Sequence, residues 1–87
     1  MERLLKTIGK ARFTENFNQF KDFSYEDVIN HLIANETSNY DGARRRTIAA
    51  KELFRLNMER QALQNIINSP RLSNEIRELA SRILNLL

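Results

Sequence analysis

The sequence predicts an all-α fold, a small orthogonal bundle of four to five helices, and three observations carry that expectation. Glycine occurs only twice and proline once in 87 residues, so the punctuation that separates strands is scarce. Apolar residues recur at three- and four-residue spacing along most of the chain, which is the helical period. Capping residues stand ahead of the periodic stretches at Thr14, Ser24, Ser38 or Asp41, and Ser73.

The first stretch places Met1, Leu4, Leu5, Ile8 and Ala11 on one face, with Arg3, Lys6 and Lys10 opposite, until Gly9 loosens the pattern. Thr14 is then expected to cap a short second helix. Along it Phe13, Phe17 and Phe20 recur at i, i+4 and i+7, an aromatic stripe suited to a core. The clearest start follows: Ser24 as N-cap, Asp27 three residues on as the reciprocal acid, and Phe23 with Val28 as a hydrophobic staple. The helix over residues 25–36 is expected to bury Tyr25, Val28, Ile29, Leu32 and Ile33.

The polar residues from Thr37 to Asp41 end that helix, and Ser38 or Asp41 caps the next. From Gly42 to Asn68 the residues Ala49, Leu53, Leu56, Leu63 and Ile67 continue one stripe, which fits a single long helix. A break near Asn57 fits equally well, because Ala62, Leu63, Ile66 and Ile67 form a fresh stripe beyond it. Ser69-Pro70 forces a turn, since proline disfavours helical geometry in the residue before it. Ser73 caps the last helix, where Ile76, Leu79, Ala80, Ile83, Leu84 and Leu87 give a clean amphipathic stripe.

Length and composition indicate one domain over residues 1–87. A chain of this size buries only about 60–65% of the surface it exposes when unfolded. Without cysteine it has no disulfide staple and no thiolate site, so the core must suffice alone or a second subunit must help. Apolar residues make up 41% and charged ones 29%, a balance that favours a packed fold over disorder. No apolar run approaches the ~18 residues that span a bilayer. The chain therefore reads as cytoplasmic, with no membrane partner. Residues 1–13 also match the start of an organelle presequence or a surface-seeking helix, against which Glu2 and Gly9 argue.

Catalysis has little to work with. His31 is the sole histidine, and although it follows Asp27 by four residues, it points about 130° from the apolar face and reads as an exposed surface group. Ser24 and Asp27 are already explained by the cap, and Glu26 and Asp27 lie in a first turn where the helix dipole favours acids. The sequence predicts no catalytic residue, no metal site and no cofactor: it lacks Cys and His clusters, calcium-loop spacing and a glycine-rich phosphate loop.

The basic element is more informative. Arg44, Arg45 and Arg46 sit in the opening turns of a helix, where positive charge opposes the macrodipole by roughly 0.3–1 kcal/mol each. A phosphate or a partner's carboxylates would supply a reason to keep them, since guanidinium offers a planar fork of donors suited to both. Arg44, Ile48, Lys51 and Arg55 fall within about 60° on the face opposite Ala49, Ala50 and Leu53, which leaves Ile48 where water is expected. Arg46 falls on the core side of the helix. The bland alternative is a solvated face with an incidental isoleucine, supported by Glu52 and Glu59 as intrahelical partners.

Two function classes follow. One is a non-enzymatic helical protein-interaction or regulatory module whose basic face, Arg44, Arg45, Ile48, Lys51 and Arg55, meets an acidic protein partner. Apolar residues to the end of the chain, Leu84, Leu86 and Leu87, fit the same class through a homodimer on the C-terminal helix. The other is a helix-turn-helix-like DNA-binding protein, with Arg45 and Ile48 in the groove and Arg44, Lys51 and Arg55 on phosphate. A net charge of only +3 is small for a nucleic-acid binder, so the first class is preferred.

Overall fold

Three backbone interruptions divide the chain more finely than the periodicity implies. Gly9, at φ 92°, occupies the left-handed half of conformational space that glycine enters freely, and it closes α1 (Glu2–Ile8) while opening α2 (Lys10–Glu15). Asn16, at φ −115° and ψ 25°, separates α2 from α3 (Phe17–Asp22). Asn57, at φ 56°, ends the stripe that began near Gly42. In a computed structural model that describes residues 1–36 and 39–87, the chain is all-α, with seven helices among the described residues rather than four to five. The others are α4 (Tyr25–Glu36), α5 (Tyr40–Arg55), α6 (Glu59–Ile67) and α7 (Asn74–Leu86).

The end of α5 resolves the choice between one helix and two. The N–H of Asn57 bonds to the Phe54 carbonyl at 3.0 Å and that of Met58 to the Leu53 carbonyl at 3.1 Å. This is the paired pattern of a Schellman stop, in which a left-handed residue just past the helix satisfies its last carbonyls. Asparagine tolerates that conformation better than most residues with a side chain. Asn57 therefore terminates α5.

Ser24 and Ser73 cap as expected. Ser24 Oγ accepts from the Asp27 N–H at 3.2 Å and Ser73 Oγ from the Ile76 N–H at 3.3 Å. Thr14 does not: it is buried within α2, and its hydroxyl donates to the Lys10 carbonyl at 2.8 Å. The cap of α5 is Asn39, whose Oδ1 accepts from the Gly42 N–H at 2.7 Å, and Asp41 lies inside the first turn. Ser38, the other expected cap, lies outside the described residues.

One cluster of buried side chains draws on all seven helices, from Leu5 and Ile8 through the phenylalanines to Ala80. The aromatic stripe is its centre. The Phe13 ring lies 5.5 Å from Phe17 edge-on, and 6.3 Å and 5.8 Å from Phe20 and Phe54 in stacked geometry. Such pairs add about 0.5–1.5 kcal/mol each beyond the area they bury. Small residues on α5, Ala43, Ala49 and Ala50, are buried and let α1 and α4 pack closely on either flank. The radius of gyration, 12.0 Å, matches the roughly 12 Å that a compact chain of this length adopts.

Tyr25 and Ile33 depart from their expected place in the core and are exposed. The buried arc of α4 is narrower, formed by Val28, Ile29 and Leu32. Among the described residues, no helix is long and apolar enough to cross a membrane.

Candidate functional site

The three consecutive arginines occupy three different environments, because successive helical positions turn by about 100°. Arg44 is exposed on the side of α5 that carries Ile48, Lys51 and Arg55. Arg45 is exposed, and together with the half-buried Arg46 it lines a cleft of about 270 Å³ completed by Gly42 and by Thr7 of α1. Four of the five residues expected from sequence therefore share one flank, and Arg45 belongs to the other.

On the first flank, two cations are already engaged. The Lys51 ammonium donates to the Phe23 carbonyl and lies 5.9 Å from the centre of the Tyr25 ring. Partial burial pushes its pKa down, with Asp22 opposing that shift. Arg55 holds Glu52 in a forked pair, with Nε at 2.8 Å from Oε2 and Nη2 on Oε1. The hydrogen bond lowers the Glu52 pKa and raises that of Arg55. Among the described residues, Arg44 has neither kind of anchor.

Lys51 sits near the C-terminal end of α5 and touches residues at the N-terminal end of α4, so the two helices run antiparallel. Ile33 of α4 is exposed as well. Phe23 at 44% exposure, Tyr25 at 52% and Ile48 at 41% leave large apolar areas in water, interleaved with Arg44, Lys51 and Arg55.

A separate polar network joins α2 and the Asn16 link that follows it to α4. Arg12 Nε donates to Glu36 Oε2 at 2.8 Å, and Asn16 Nδ2 donates to Glu36 Oε1 at 2.7 Å and to the Arg12 carbonyl at 3.0 Å. Asn16 Oδ1 then faces His31 Nε2 at 2.9 Å, while Asn35 Nδ2 approaches His31 Nδ1 at 3.2 Å. His31 is accordingly half-buried and packs edge-on against Phe23, where the sequence suggested a solvated group. With amide donors fixed this way, the imidazole proton belongs on Nε2. The network braces the helices.

Sequence reasoning missed Phe23 and Tyr25 as surface residues. Both were accounted for locally, one as a staple and one as core, and the signal was their position flanking Ser24 at the entry to α4. It also missed Thr7, whose proximity to Arg45 is tertiary. Among the described residues, no group of three or more His, Cys, Asp or Glu side chains is placed to hold a metal ion. No protein-family model matches the chain, and no curated protein and no solved structure matches it.

Proposed function

We propose that residues 1–87 act as one non-catalytic helical module that docks an acidic segment of another protein on the flank formed by α4 and α5. The observation that carries this reading is the exposure of Phe23, Tyr25 and Ile48 among Arg44, Lys51 and Arg55. Interface hot spots are enriched in tyrosine and arginine set within apolar contact area, whereas a solvated face has no use for three large apolar groups together. Arg44 is the cation best placed to meet an incoming carboxylate. Lys51 and Arg55 already serve a backbone carbonyl and a glutamate, which favours a protein partner over a phosphate backbone that would need several cations at once.

Selection from a displayed peptide library tests this directly. The intact chain should enrich sequences combining Asp or Glu with an apolar anchor, and Arg44→Glu together with Ile48→Asp should lose that enrichment while keeping a helical circular dichroism spectrum. Duplex DNA titrated across a salt series provides the opposing arm. A slope of log K against log salt near −4 to −5 would reassign the face to phosphate contacts, and the docking reading would fall.

A further inference from the structure

We propose that the cleft between α1 and the start of α5, lined by Thr7, Gly42, Arg45 and Arg46, binds a phosphoryl dianion, carried either by a small phosphomonoester or by free phosphate. The site lies on the opposite flank of α5 from Ile48, so it stands or falls separately from the docking surface.

Charge is the first argument. Arg45 and Arg46 line the cleft, and Arg12, Arg45 and Glu36 are close enough to act on Arg46. Two guanidinium groups on the cleft wall match the roughly −1.5 to −2 charge of a phosphomonoester and exceed the single charge of a carboxylate. Burial and the neighbouring guanidinium groups of Arg12 and Arg45 hold the Arg46 pKa below its ordinary value, with Glu36 opposing. An added dianion would relieve that repulsion.

Shape is the second. About 270 Å³ falls below the ~300–1,000 Å³ of clefts that engulf a drug-sized ligand, so the cleft suits a headgroup rather than a large molecule. Each guanidinium carries five N–H donors in a planar fork that suits phosphoryl oxygens, and Arg45 is exposed. The missing side chain of Gly42 makes room for the guanidinium: a Cβ there would stand 2.9 Å from Arg46 Nη1 and 3.0 Å from Asn39 Oδ1, so a larger residue would shift the flexible tip of Arg46. That gives the single glycine of α5 a use at a position where alanine is the better helix former.

The test is a titration of the intact ¹⁵N-labelled chain, at fixed ionic strength, with inorganic phosphate, O-phosphoserine and chloride. Saturable amide shifts at Thr7, Gly42, Arg45 and Arg46 are expected, with a Kd on the order of 1 mM or tighter for at least one phosphoryl probe. Tighter binding of phosphoserine identifies a monoester site, and tighter binding of inorganic phosphate a site for the free ion. Arg45→Gln changes an exposed residue and should weaken binding about tenfold, equivalent to ~1.4 kcal/mol. Gly42→Ala should weaken it too, by moving Arg46. Shifts that match those from chloride, or that survive Arg45→Gln unchanged in a chain still helical by circular dichroism, overturn the proposal.

Discussion

The Lys51 ammonium donates to the Phe23 carbonyl, tying the C-terminal part of α5 to the residue that closes α3 and precedes the cap of α4. The last turn of a helix presents carbonyls without intrahelical donors, and a cation there is favourable both as donor and as countercharge to the dipole. Lys51 thus has a structural task on the face that also carries Arg44 and Ile48. Lys51→Met keeps the aliphatic stem and removes the donor, so stability should fall by about 1 kcal/mol in urea denaturation. An unchanged midpoint would show that the contact is not formed in solution.

The Asn16 side chain is nearly fully buried and meets both Glu36 and His31, so its loss leaves charged and aromatic polar groups short of a bond. Asn16→Leu should destabilise by roughly 1–3 kcal/mol, the usual cost of stranding buried polar atoms. The same geometry fixes the ring tautomer. Imidazole ¹⁵N shifts in the wild-type chain should report the proton on Nε2, where Asn16 Oδ1 accepts it while Asn35 donates to Nδ1. A proton on Nδ1 in the wild type would mean that the Asn16 amide faces the other way.

Local signals in the sequence were legible where one residue does one job. Ser24 and Ser73 cap because nothing else nearby competes for the first N–H groups of α4 and α7. The phenylalanine stripe is core because its period and size leave few other fates. Asn57 was ambiguous for a physical reason: asparagine serves both as an N-cap and as a left-handed C-terminal stop, and only the bonds from Asn57 and Met58 distinguish them. Asn39 was hidden among several polar residues able to cap.

The candidate site was half legible. Helical arithmetic placed Arg44, Ile48, Lys51 and Arg55 together, and it separated Arg46 from them. It could not supply Phe23 and Tyr25, which reach the same surface only because α4 lies antiparallel to α5, nor Thr7 across the cleft from Arg45. Those neighbours are set by tertiary packing, which periodicity within one helix does not encode.

The Glu52–Arg55 pair gives the face a pH dependence. Arg55's hydrogen bond holds the Glu52 carboxyl below its ordinary range, so the folded state favours the ionised form. The stabilisation is complete above the ordinary carboxylate pKa and is lost as pH falls through the lowered folded value. Because the pair is exposed, the effect is small and weakens with salt. Denaturation of Glu52→Gln and wild type should differ slightly at neutral pH and low salt, and the difference should vanish in acid. A difference that persists in acid would assign it to packing of the Glu52 stem.

The C-terminal helix separates core from surface within four residues. Ile83 and Leu84 are partly buried against the cluster, while Leu86 is 87% exposed. Arg60 of α6 donates to the Leu87 carbonyl at 2.6 Å and holds the last turn against its neighbour. Ile83→Asp removes a large aliphatic group and sets a carboxylate against the core, so it should cost about 2–5 kcal/mol and unfold much of the population. Leu86→Asp should leave the denaturation midpoint within about 0.5 kcal/mol of wild type, as surface changes do. Sedimentation of the same two variants decides whether α7 also joins two copies. If the wild type sediments as a dimer and Leu86→Asp as a folded monomer, the exposed leucine is the contact. If wild type and Leu86→Asp sediment alike as monomers, the apolar end of α7 serves the fold of a single chain.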